Sequence, residues 1–103
     1  LDSRVMYAVI VIRYRVPIEQ IEANTEAHRA YLRQLAAEGT LLVSGPMVPR
    51  TGGVLVLRVP DGEGAAAALD RVRDGDPFWR LGLANYELLQ WAPTIGRDAL
   101  DAM

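Results

Sequence analysis

The chain has 103 residues, half of them apolar and 23% charged, with a formal net charge of −2 and no cysteine. That suits one soluble globular domain and excludes a disordered segment, and the absence of any basic cluster argues against nucleic acid as a partner. Without cysteine there is no disulfide framework, no thiolate nucleophile and no sulfur-ligated metal.

Met6 to Ile12 is the first element, a β-branched run that reads as a strand apolar on both faces. It is far too short to span a bilayer, and it lacks the basic flank and cleavage site of a signal peptide, so the cytoplasm is the expected compartment. Met6 is a candidate start, with residues 1–5 as an extension. Arg13, Tyr14 and Arg15 carry the strand toward an edge. Pro17 then opens a helix, where its missing N–H costs nothing. Ile18, Ile21, Thr25, His28, Leu32 and Leu35 follow at helical spacing, and Gly39 is the stop, a C′ glycine in the left-handed conformation. The helix is expected over Pro17–Glu38, with a break near Asn24-Thr25 where a capping side chain would restart it.

Thr40–Met47 and Val54–Val59 read as the second and third strands, joined by Pro49-Arg50-Thr51-Gly52-Gly53 as turn chemistry. Ala65–Val72 is a narrow, Ala-rich helix with Ala66, Leu69 and Val72 or Arg73 on one side. Asp74-Gly75-Asp76 breaks it, and Pro77 opens a short turn through Leu81. Ala84–Trp91 is the fourth strand, stopped by Pro93, and residues 94–103 form a tail with one helical turn. Phe78, Trp79, Tyr86 and Trp91 are expected in core or interface.

The order βαββαβ gives an α+β, ferredoxin-like fold, a single domain with its core over about residues 6–93. Two helices cover one face of a four-stranded sheet. Both faces are apolar, with Tyr7, Val9 and Val11 against Met6, Ala8, Ile10 and Ile12 on the first strand and Leu55, Leu57 and Val59 against Val54 and Val56 on the third. Whichever face the helices leave is therefore apolar and bare. A second copy packed face to face would bury it, so a homodimer is expected; a domain this small gains from association in any case.

His28 is the only histidine. It lies on the apolar stripe of the first helix, so its ring points at the sheet. Two readings stand: a base, given an imidazole pKa of about 6.5, or a structural ring bonded to a backbone carbonyl. Asp76, held extended before Pro77, either orients that histidine as in a triad or caps the turn that Pro77 begins, and different oxygens would let it do both. Ser44-Gly45-Pro46 ends the second strand, where glycine marks either a ligand's close approach or a bulge; without a Gly-x-Ser-x-Gly elbow, Ser44 is a hydrogen-bonding group and not a nucleophile. One histidine and no cysteine make no ordinary zinc site, and no phosphate-cradling glycine loop precedes a helix. No cofactor is expected. Arg13, Arg15 and Arg50 are cations that the sequence does not place, and a lone arginine at a strand end is usually solvated.

Glu26-Ala27-His28-Arg29-Ala30-Tyr31-Leu32, then Glu38-Gly39-Thr40-Leu41-Leu42-Val43-Ser44-Gly45-Pro46, then Asp74-Gly75-Asp76-Pro77-Phe78 together resemble the YCII-related family, which is related to the DGPF domains. The similarity runs from Met6 to about Pro93. It implies a dimeric α+β barrel and a His–Asp pair mapping onto His28 and Asp76, with Ser44, Gly45, Pro46 and Phe78 around a small aromatic substrate. That favours the functional reading of His28. The activity implied is loss of HCl from a chlorinated hydroxyhydroquinone, a cofactor-free elimination. The rival readings are another proton-transfer enzyme, of muconolactone-isomerase type, and a non-catalytic ligand-binding subunit.

Overall fold

The computed structural model describes residues 5–62 and 64–103. Strand β1 spans Val5–Tyr14, helix α1 Ile18–Ala37, strand β2 Leu41–Pro46 and strand β3 Gly52–Pro60. Helix α2 spans Gly64–Gly75, the one-turn helix α3 Pro77–Arg80, strand β4 Ala84–Trp91 and helix α4 Arg97–Asp101. The strands pair antiparallel in the order β2-β3-β1-β4. The first and third strands are central and the two βαβ halves interleave, as the ferredoxin-like order requires.

Helix α1 is unbroken where a restart was expected. Asn24 donates to Gln20 O and Thr25 Oγ1 to Ile21 O, at 2.9 and 2.7 Å. Both side chains bond back to the preceding turn of the same helix and cap nothing. Pro17 is the N-cap and not the first helical residue, and Gly39 has φ 86°, the left-handed stop. Strand β3 begins earlier than expected. Gly52 and Gly53 belong to the ladder, facing Arg13 and Ile12, because a Cβ at Gly52 would lie 1.9 Å from Ile12 O. Here glycine permits a close approach between strands, and the turn is confined to residues 47–51. Helix α2 buries Ala65, Ala68, Leu69 and Val72, leaving Ala66 exposed. The irregularity in β2 falls between Leu41 and Val43, upstream of Gly45, so Gly45 is not a bulge.

Strand alternation divides the sheet. Ala8, Ile10 and Ile12 of β1 and Leu55, Leu57 and Val59 of β3 are buried under α1 and α2, with Ile21, Leu32, Leu35, Leu69 and Phe78. Each of these side chains larger than alanine stabilises the fold by about 1.5–3 kcal/mol. On the opposite face Val43, Val56, Val9 and Leu89 form one row of directly opposed residues across all four strands. Val43 and Leu89 are 52% and 41% exposed, so no described residue covers the row. One end of this face is occupied. Tyr7 donates to Asp101, Arg97 stacks over its ring, and Arg58 donates to Leu100 O and Met103 O. The tail therefore docks on the sheet through α4. At the other end Arg13 and Glu87 pair at 3.1 Å.

Candidate active site

The corner between α2 and α3 is locked onto α1 before any functional group is placed. Tyr31 Oη donates to Val72 O at 2.7 Å, satisfying a carbonyl in the last turn of α2. Gly75 leaves room for that phenol, since a Cβ there would lie 2.6 Å from Tyr31 Oη. Asp76 follows in an extended conformation, φ −80° and ψ 126°, the region a following proline favours.

Asp76 is 1% exposed. Its Oδ1 accepts from Phe78 N at 3.1 Å and bonds His28 Nδ1 at 2.8 Å. Capping and histidine orientation thus share one oxygen, where two had been expected to divide the work, while Oδ2 is buried without a hydrogen bond. A carboxylate can only accept, so the bonded Nδ1 carries hydrogen and Nε2 is left with its lone pair in the neutral ring. The alternative of a bond from His28 to a backbone carbonyl is not realised. The imidazole stacks on Phe78 with centroids 4.0 Å apart and planes 6° from parallel, and Tyr14 meets Phe78 edge-on at 6.0 Å.

Asp76 also reaches two phenols. Tyr86 on β4 is pushed well up, by burial first and then by the Asp76 charge; its hydroxyl is buried without a hydrogen bond. Tyr31 is raised by burial and then by Asp76.

His28 lines a cavity of about 170 Å³ between α1 and the sheet. A cavity of roughly 150 Å³ admits benzene, so this one has room for about a single ring. Phe78, Tyr14, Ile12, Leu32 and Leu55 form apolar walls, and Ser44, Gly45 and Pro46 enter from β2. All the residues singled out from the sequence are therefore at this place: five line the cavity and Asp76 stands behind His28. Ser44 pairs with Leu55 and shares its helix-covered side, whereas Gly45 pairs with Val54. A Cβ at Gly45 would meet nothing within 4 Å, so no contact within the chain requires a glycine there.

Three further residues were not assigned to the site, although the sequence marks Arg50 as a cation without a place and Tyr86 as core or interface. Thr25 lines the cavity one helical turn before His28 and accepts from Arg50 Nη2 at 3.0 Å; its position on the same stripe was the available signal. Arg50 comes from the β2–β3 loop, and no local pattern announces it. Tyr86 is placed by its pairing with Ile12, which only the register supplies. Arg13 is on the uncovered face with Glu87, and Arg15 is exposed.

The profile of the YCII-related domain matches residues 6–92. No curated protein matches the chain. Among solved structures it is similar to the 5-chloro-2-hydroxyhydroquinone dehydrochlorinase TftG of Burkholderia phenoliruptrix AC1100, in complex with 2,5-dihydroxybenzoquinone. The two share 25% identity with a TM-score of 0.69, over 87% of this chain and 97% of that one. No helix among the described residues is long and apolar enough to cross a membrane.

Proposed function

Because this chain belongs to the YCII-related family, we propose that it is a cofactor-independent lyase eliminating HCl from a chlorinated hydroxyhydroquinone, with His28 and Asp76 as its acid–base pair. The observation that carries this is the 2.8 Å contact between His28 Nδ1 and buried Asp76 at the wall of a cavity sized for one ring. The likeness to a dehydrochlorinase supports the choice of substrate.

In this reading Nε2 of His28 takes a phenolic proton and returns it to the chlorine-bearing carbon. The ring passes to a keto tautomer with an sp³ C–Cl centre. A second ring hydroxyl then loses its proton, its electron pair forms a new C=O, the ring double bond shifts, and the C–Cl pair departs as chloride. The triol becomes a hydroxyquinone plus HCl with no external oxidant or reductant. Asp76 holds the ring in the tautomer that leaves Nε2 basic and stabilises the imidazolium while it carries the proton. Phe78 fixes the imidazole plane, and Ser44 holds a substrate oxygen.

The reading extends to assembly. A second copy covers the row Val43–Val56–Val9–Leu89, since two copies of one apolar strip are mutually complementary about a twofold axis.

The test is chloride release from 5-chloro-2-hydroxyhydroquinone under anaerobic conditions, which suppress spontaneous oxidation of the quinol. Wild type should release chloride and His28→Ala should fall by about 10²–10⁴-fold with its melting transition retained. Equal release by the two proteins, or none by wild type, sinks the assignment.

A further inference from the structure

The polar groups of the cavity are unevenly charged. Arg29 and Arg50 line it and no acidic side chain does, in a chain whose formal net charge is −2. Arg13, Arg33, Arg73 and Arg97 each pair with a carboxylate. Arg15, Arg29, Arg50, Arg71 and Arg80 pair with no carboxylate among the described residues. Of these Arg50 alone has a buried guanidinium nitrogen without a partner, whereas Arg29 at the same cavity is exposed. Arg50 is held in place by a neutral oxygen: Thr25 Oγ1 gives its hydrogen to Ile21 O at 2.7 Å and so turns a lone pair toward Arg50 Nη2 at 3.0 Å. Arg50 Nε is buried with no partner. A guanidinium N–H removed from water without an acceptor is costly, and the fork is preorganised for a planar, delocalised oxyanion.

We propose that Arg50, positioned by Thr25, is the oxyanion-binding group of this cavity, and that the ligand is a one-ring compound carrying a conjugated oxyanion, a phenolate or hydroxyquinone anion. Thr25 and His28 lie one turn apart on α1, about 4.5 Å along its axis. A single ring can therefore present its oxyanion to Arg50 while another substituent meets His28. The proposal rests on the lyase reading and narrows its substrate class. The phenolate formed by proton removal and the acidic hydroxyquinone product would both be held by the same cation.

The probe is 2,5-dihydroxybenzoquinone, a vinylogous diacid ionised at neutral pH, titrated by calorimetry beside hydroquinone, a neutral ring of similar size. Arg50→Gln should weaken the anion by about 10–100-fold, the worth of a charged hydrogen bond, and leave hydroquinone within about threefold. Arg50→Lys should recover part of the loss, because it restores the charge without the fork. Thr25→Val should weaken the anion selectively by a smaller factor, and it carries the test if Arg50→Gln does not fold. Equal weakening of both rings, an unchanged anion affinity in Arg50→Gln, or no anion binding by wild type would overturn the proposal. Arg50-dependent binding in a wild type that releases no chloride would support it while withdrawing the lyase.

Discussion

The two faces of the sheet are built from the same strands by alternate residues, yet they have opposite fates. On the helix-covered face Ala8, Ile10 and Ile12 are at most 2% exposed, and this is where the polar cluster of His28, Asp76 and Arg50 is assembled. On the other face the row Val43–Val56–Val9–Leu89 is uncovered among the described residues, bracketed by α4 at one end and the Arg13–Glu87 pair at the other. Hydrophobicity alone does not separate them. What separates them is that α1 and α2 dock on one side, so that side alone supplies the dry surroundings in which a His–carboxylate bond is strong and an unpaired guanidinium is costly. The bare side has apolar surface and no chemistry, which is the composition of an interface.

The sharpest way to break this contrast is to change adjacent residues of β1. Ile10→Ala opens a cavity in the covered core and should cost about 2–5 kcal/mol in urea unfolding. Val9→Lys places a charge at the centre of the uncovered row. In sedimentation it should lower the mass from about twice 11.3 kDa to 11.3 kDa with the far-ultraviolet spectrum kept. A dimer that survives Val9→Lys would remove the uncovered face from assembly, and an Ile10→Ala chain as stable as wild type would show that the covered face tolerates a void.

The glycines sharpen the same contrast at smaller scale. Gly75 lies where α2 meets Tyr31, and Gly75→Ala drives a methyl to 2.6 Å from the phenol oxygen. Overpacking there should cost about 1–3 kcal/mol. It should also lower turnover, because Asp76 is the next residue. Gly45→Ala meets nothing within 4 Å inside the chain and should stay within about 0.5 kcal/mol in dilute protein. A cost that appears only at dimer-forming concentrations would place Gly45 against the second copy, whereas a cost at every dilution would mean the space within the chain is not open.

Much of this was legible in the sequence, for reasons that particular residues make clear. Strand β4 was found at its true bounds, Ala84–Trp91, because Gly82 before it and Pro93 after it bracket a segment of strand length. The His28 stripe was readable because 3.6-residue periodicity is local. Ala66 was taken for buried in place of Ala65 and Ala68 because an alanine-rich helix has no polar contrast to mark its faces. Gly52-Gly53 passed for turn chemistry because glycine signals both turns and close strand approach, and only the position of Ile12 O decides between them. Asp76's two bonds from one oxygen, Arg50's reach to Thr25 and Tyr86's place near Asp76 all depend on contacts between distant segments, and no local pattern encodes them.

The smallest effect concerns that last placement. Burial and the Asp76 charge raise the phenols of Tyr86 and Tyr31 above the ordinary tyrosine value of 10.0. Between the unfolded and folded values the native chain holds protons that the unfolded chain has lost, so stability falls as pH rises. The contribution is intact below about pH 10 and is lost progressively above it. Tyr86→Phe removes a hydroxyl that lies near Asp76 without a hydrogen bond of ordinary geometry, so at pH 7 it should shift stability by less than about 1 kcal/mol, while the decline above pH 10 becomes shallower. Thermal melts of both proteins from pH 7 to pH 11 would measure this. Parallel curves would mean that Tyr86 ionises as freely in the folded chain as in the unfolded one. In that event the covered face would not be dry at β4, and the isolation of Asp76 Oδ2 would fail with it, since the same burial produces both.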